Sequence, residues 1–151
     1  MRVLAIFISL NFIFPTINKL NYSEPNYNEE NDFQIITLPA LNSDDYHKKG
    51  LDNRRFKYGH RFDTDYSINN SGTWKENNNG DMIWRLGIKS SEAFALKLEF
   101  KEFYLPPGSE LYIYDNGADM TYGPFTSEDN QLDRSFGSPL IKGDIVIIEY
   151  L

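Results

Sequence analysis

Few residues of this chain could carry out nucleophilic catalysis. A Ser-His-Asp triad needs a histidine that serves first as base and then as acid, and the sequence offers His47 and His60. No Gly-x-Ser-x-Gly or Gly-Asp-Ser-Gly segment accompanies them. Cysteine is absent, which excludes a thiolate nucleophile, a thiolate metal site and disulfides. The sequence therefore predicts no catalytic residue and no enzymatic activity for this chain.

Closely spaced carboxylates indicate a second kind of chemistry, because hard oxygen ligands suit calcium. Asp115 and Asp119 are the candidate metal ligands, in a loop that also contains Asn116. A second acidic group follows: Glu128, Asp129 and Asp133. The spacing does not match an EF-hand loop, and turn formation or solubility explains the same residues. We expect no cofactor other than, at most, calcium.

Aromatic residues form a third group, which could stack on sugars or clamp a peptide. Its members are Trp74, Trp84, Tyr104, Tyr112, Tyr114 and Tyr122. Trp84 is in phase with an apolar strand face, so we expect it in the core. Tyr112 and Tyr114 alternate with Leu111 and Ile113, so the two tyrosines share one face. Packing within the sheet is the alternative to ligand binding for the whole group.

The elements that must position these residues are short strands. Five are predicted, at 82–89, 94–101, 111–114, 120–125 and 145–150. Pro106 and Pro107 end the second strand because they lack backbone donors, while 77–81 and 115–117 have the composition of tight turns. The last strand has little alternation, which is typical of burial on both faces. These features predict a mainly β fold, an antiparallel β-sandwich of jelly-roll type.

The N-terminal part of the chain is organised differently. Arg2 precedes an apolar run, 3–14, that is too short to span a bilayer as a helix and is typical of a secretory signal peptide. No small-x-small cleavage site follows it, so a retained anchor or a buried core helix are the alternatives. Ser43 can cap one short helix over 46–56. The prediction is thus a signal peptide (1–22), a linker (23–37) and a β domain (38–151).

The charge balance limits the partners. The chain has 22 acidic and 15 basic residues, a formal net charge of −7. Nucleic acids and anionic membranes need a basic footprint on the protein that binds them. We therefore expect no nucleic-acid partner, and no membrane partner once the signal peptide is removed.

An ordered series of motifs gives the most specific signal. It consists of Gly72-Thr73-Trp74, Asp81-Met82-Ile83-Trp84-Arg85-Leu86, Leu105-Pro106-Pro107-Gly108, Leu111-Tyr112-Ile113-Tyr114, Gly123-Pro124-Phe125-Thr126, and Gly143-Asp144 followed by Glu149-Tyr150. The series resembles the non-catalytic N-terminal region of secreted bacterial trypsin-like serine proteases of the lysyl endopeptidase type. In that family the catalytic domain follows, so the chain is a fragment, the product of a truncated gene, or a free-standing homologue that has lost its enzyme.

The resemblance implies a pro-region that assists folding, export or inhibition of the enzyme, with a trypsin-like protease domain in cis as its partner. The expected location is extracellular, in a bacterium. The alternative is a stand-alone secreted binding module for a glycan, a peptide or calcium, with loops 77–81, 115–119 and 127–133 as its recognition surface.

Overall fold

The computed structural model describes residues 5–13, 32–41 and 59–151. The strands in these ranges are β1 (Ala5–Ile13), β2 (Ile35–Thr37), β3 (Gly59–Asp63), β4 (Thr73–Glu76), β5 (Met82–Lys89), β6 (Ala95–Tyr104), β7 (Leu111–Asp115), β8 (Thr121–Phe125), β9 (Phe136–Gly137), β10 (Ile141–Lys142) and β11 (Ile145–Tyr150). Within the same ranges, the one helical element is a short 3-10 helix, Ser127–Asp129.

The strands form two sheets. A five-stranded sheet has the order β10-β6-β1-β3, and β9 also pairs with β6. In this sheet β1 runs parallel to both of its neighbours, β3 and β6. A six-stranded sheet has the order β2-β5-β11-β7-β8, and β4 also pairs with β5. Here β2 is parallel to β5, whereas β4, β5, β11, β7 and β8 are joined by antiparallel pairs.

Local sequence explains where β5 begins and where β6 ends. Asn77 closes the turn between β4 and β5, because its side-chain oxygen accepts hydrogen bonds from the backbone N–H groups of Asn79 and Asp81. β6 stops at Tyr104, just before the two prolines. Near its end Glu102 has φ 52°, and the β1–β6 register shifts there, as at a β-bulge. The bulge allows Phe103 to be buried only three residues after Phe100.

Both sheets contribute to one hydrophobic core. Fully buried residues come from β6 and β10 of the five-stranded sheet and from β5, β7 and β11 of the six-stranded sheet. The largest are Trp84, Tyr150, Phe100, Phe103, Leu86, Ile88, Leu96 and Leu98. Phe125 of β8 and Phe136 of β9 join the two sheets directly, with ring centroids 4.8 Å apart. Residues of the two sheets therefore share one core.

The prediction of a mainly β fold is confirmed, but its purely antiparallel form is wrong. Three strand pairs are parallel, and each involves β1 or β2. Alternation and turn composition reveal neighbours joined by hairpins, and they carry no information about pairing with distant strands. The expected helix over 46–56 lies outside the described residues.

Two segments that the sequence analysis placed outside the domain belong to strands. Residues 5–13, within the predicted signal peptide, form β1, and residues 35–37, within the predicted linker, form β2. The processing of the N-terminus stays a prediction. No helix in the described part of the chain has the length and hydropathy needed to cross a membrane.

Candidate functional site

The structure describes one of the two histidines, His60. His60 lies on β3, half-buried, with its ring 4.6 Å from that of Phe62 in an edge-to-face arrangement. An aromatic ring cannot relay a proton, so this contact is one of packing. His47 lies outside the described residues.

The candidate calcium loop brings its two carboxylates to the same point. A Cβ built on Gly117 would lie 3.5 Å from Asp119 Oδ2 and 3.7 Å from Asp115 Oδ2. The other oxygen of Asp115 accepts a hydrogen bond from the backbone N–H of Met120 at 2.9 Å, which fixes the turn between β7 and β8. Among the described residues, no group of three or more His, Cys, Asp or Glu side chains could hold a metal.

The second acidic group has turn-forming roles. Asp129 accepts a hydrogen bond from the N–H of Thr126 at 2.7 Å, completing a capping box on the 3-10 helix. Asp133 accepts hydrogen bonds from the N–H and the hydroxyl of Ser135, and these lower the pKa of its carboxyl. Both carboxylates are thus used in local structure, which is the alternative that the sequence analysis left open for them.

The six motifs converge on the six-stranded sheet. Five of them lie on or beside β4, β5, β7, β8 and β11, and the sixth, 105–108, is the connection that leads into β7. Motif residues also touch one another across the sheet. Trp74 packs edge-to-face on Tyr150, with ring centroids 6.1 Å apart. A Cβ on Gly72 would lie 2.3 Å from the Trp84 ring, whose Nε1–H donates a hydrogen bond to the carbonyl of Ser71.

Three motifs meet in a buried polar network. Arg85 and Glu149 are directly paired on β5 and β11, and Arg85 Nε donates to Glu149 Oε2 at 2.7 Å. The Tyr114 hydroxyl, from β7, donates to the same oxygen at 3.0 Å. Glu149 is 1% exposed and Arg85 is 9% exposed. A carboxylate at this depth requires such charged and hydrogen-bonded partners, because an isolated one is strongly disfavoured away from water.

This network lies on the face of the six-stranded sheet that points away from the core, which we call the outer face. Its residues alternate along each strand with those of the core: Ile83 and Arg85 on β5, Tyr112 and Tyr114 on β7, and Ile145, Ile147 and Glu149 on β11, with Leu151 after it. Tyr112, Tyr114, Ile147 and Leu151 are buried together in a second apolar cluster. The centre of the outer face is therefore buried as well, although slightly less completely than the core face.

The sequence analysis anticipated part of this arrangement. Trp84 and Leu111 are fully buried, and Tyr112 and Tyr114 share one face, as predicted. The ion pair between Arg85 and Glu149 was missed. One signal could have found it, because Arg85 is the one charge in the interior of β5, Glu149 is the one charge of β11, and two charges within apolar strands need each other.

Neither a protein-family model nor a solved structure matches this chain.

Proposed function

We propose that this chain is a non-catalytic N-terminal domain of a secreted trypsin-like serine protease of the lysyl endopeptidase type. In this role it assists the folding, export or inhibition of the enzyme, and its partner is the protease domain in cis. The predicted signal peptide directs the protein out of a bacterial cell and is then removed. The chain itself breaks no bond.

The observation that supports this proposal is the network of Arg85, Tyr114 and Glu149. It connects three of the six motifs through one carboxylate, although the residues are far apart in sequence. Motif residues that contact one another specify a particular packed unit. A domain whose recognisable residues maintain its own sheet is suited to act as a binding partner or folding aid.

The same proposal includes a finer description of the fold, an antiparallel β-sandwich of jelly-roll type to which parallel strands are added. One core shared by two sheets supports it, together with the 4.8 Å contact between Phe125 and Phe136. Such a domain presents two sheet faces and several loops to a partner.

The test begins with the gene. Its sequence beyond the codon for Leu151 should continue in frame into a trypsin-like domain with its catalytic His, Asp and Gly-Asp-Ser-Gly. The protease domain should then refold to active enzyme in higher yield when this chain is present. A downstream domain of another class, or a refolding yield that is unchanged by the chain, would contradict the proposal.

The non-catalytic part of the proposal has its own test. The purified chain should show no turnover of basic peptide substrates, and a His60→Ala variant should be indistinguishable from it. Turnover that is lost on this substitution would establish His60 as catalytic and overturn the proposal.

A stand-alone calcium-binding module is the second candidate, and the geometry at Gly117 favours it. Two carboxylates that approach one point can share a divalent cation. Calcium titration followed by calorimetry tests this idea, with Asp119→Asn as the variant and Asp133→Asn as the matched control in the other acidic loop. Heat that disappears only in Asp119→Asn would support the module, whereas equal heats for all three proteins would exclude this loop.

A further inference from the structure

The five-stranded sheet depends on β1, which joins β3 to the rest of the sheet. β1 lies between β3 and β6, pairing with β3 from Ala5 to Ser9 and with β6 from Ala5 to Ile13. Among the described strands, β3 pairs with β1 alone. Without β1, the whole length of β6 would become an open edge on that side, and β3 would lose its place in the sheet. An open edge of this length is a template for another strand.

An ion pair bridges the position of β1. Arg61 of β3 and Glu99 of β6 are on strands that flank β1, about 10 Å apart at the usual strand spacing. Their side chains nevertheless meet, with Arg61 Nη1 2.9 Å from Glu99 Oε2. Both side chains are partly exposed, so solvent screens the pair and its contribution is small. It can guide the flanking strands together across β1, but it is too weak to lock that strand in place.

We propose that the gap between β3 and β6 is a strand-binding site. In the full chain it holds Ala5–Ile13, and after removal of the signal peptide it accepts an extended segment of the protease domain, laid parallel to both strands. The identity of this partner rests on the proposed function. Strand addition at a sheet edge is a general mode of peptide recognition, in which backbone hydrogen bonds supply affinity and alternate side chains supply specificity.

The flanking strands define the chemistry of the occupant. Leu96, Leu98 and Phe100 of β6 are buried in the core on one side of the sheet. The residues of β6 between them, Lys97 and Glu99, are polar and lie on the other side. An occupant in register must therefore be apolar at every second position and tolerate polar neighbours at the others. The backbone register meets this requirement with Ile6 and Ile8, which pair with Leu96 and Leu98.

The experiment uses the full chain with a site for a specific protease inserted between Leu20 and Asn21. The cleaved protein is passed through gel filtration, and mass spectrometry then shows whether the N-terminal segment stays bound. Hydrogen exchange measures the protection of the backbone amides in β3 and β6. A labelled peptide with the sequence of residues 3–14 and lysine tails is then added, with a scrambled peptide as control. Fluorescence of Trp74 and Trp84, which both lie in the six-stranded sheet, confirms that the protein remains folded.

We expect the labelled peptide to replace the native segment and the scrambled one to fail. Amide exchange in β3 and β6 should be at least about tenfold faster in the vacated protein and return to its original rate with the peptide. A native segment that cannot be displaced would overturn the proposal. Protection of β3 and β6 that is unchanged after the segment has left would also overturn it.

A second arm separates this inference from the proposed function. Overlapping peptides that together cover the protease domain are added as competitors of the labelled peptide. Those with apolar residues at alternate positions should displace it. If the N-terminal peptide exchanges and no protease segment competes, the strand-binding site stands and its assignment to the protease is wrong. Because the exchange experiment contains no protease, its outcome does not depend on that assignment.

Discussion

The two faces of the six-stranded sheet are buried by different means. The core face is apolar, and Trp84, Leu86 and Ile88 follow one another along β5 without exposure. The outer face is also buried at its centre, but the same strand contributes Arg85 to it, paired with Glu149. Apolar packing depends on volume and shape, whereas a buried ion pair depends on both partners being present. The two faces should therefore respond to substitution in different ways.

The largest expected effect is on the core face. Trp84→Ala should lower the free energy of unfolding by about 4 kcal/mol, because it leaves a cavity and the Ser71 carbonyl loses its donor. Denaturant unfolding followed by circular dichroism measures the change. Met82→Ala is the control, since it truncates a side chain of the same strand that is 39% exposed and should cost little. Equal losses in the two variants would contradict the burial of Trp84.

On the outer face, removing one partner of the ion pair should cost more than replacing the whole network with apolar groups. Glu149→Leu should cost about 3 kcal/mol, because Arg85 and the Tyr114 hydroxyl lose their shared acceptor within a buried site. A triple variant, Arg85→Met, Tyr114→Phe and Glu149→Leu, should recover most of that loss, since apolar groups of similar size can replace a buried ion pair. The same unfolding experiment measures both. A single variant as stable as the wild type would indicate that water reaches this face.

A substitution at Gly72 tests how tightly the core face is packed around Trp84. Gly72 has φ +80°, and an added Cβ would lie 2.3 Å from the buried Trp84 ring. Gly108 has a similar φ of +87° but open space around the position of a Cβ. Gly72→Ala should therefore destabilise the protein by about 2 kcal/mol more than Gly108→Ala, whose cost of about 1 kcal/mol is backbone strain alone. Parallel thermal and denaturant unfolding of the two variants gives this difference, and equal costs would show that the Trp84 ring can move aside.

The predictability of the two faces from sequence differs for a physical reason. The core face follows from local alternation, so Trp84, Leu86 and Ile88 could be assigned from spacing alone. β11 was recognised as doubly buried because it lacks alternation, and its central position between β5 and β7 confirms this. On the outer face the decisive contact joins residues that are 64 positions apart. No local sequence pattern specifies which charged residue of one strand pairs with which charged residue of another.

The parallel pairings were hidden for the same reason. β1 and β2 join their sheets through partners remote in sequence, and each could equally be assigned to a leader or a linker from composition. The acidic loops illustrate the converse case. Their short spacing indicated metal ligation, but Asp129 and Asp133 are engaged by nearby backbone donors that the same sequence supplies. Short-range hydrogen bonding competes with ligand binding for the same oxygen atoms.

The smallest expected effect is a pH dependence that arises on the core face. Burial raises the pKa of Tyr150 from 10.0 to about 12, and a hydrogen bond with the Ser109 side chain opposes part of the rise. The unfolded chain therefore loses this proton near pH 10, while the folded protein keeps it. Stability from this group is fully present below pH 10 and is lost as the pH rises from about 10 to about 12.

A Tyr150→Phe variant isolates that contribution, because the other tyrosines titrate in both proteins. The wild type should lose about 2 kcal/mol more than the variant over this interval, as measured by urea unfolding at closely spaced pH values. The edge-to-face contact with Trp74 remains possible for phenylalanine, so packing is held nearly constant. Parallel pH profiles for the two proteins would mean that the Tyr150 hydroxyl reaches water. The core face would then be wetter at its edge than the outer face, and the contrast between the two would be confined to their centres.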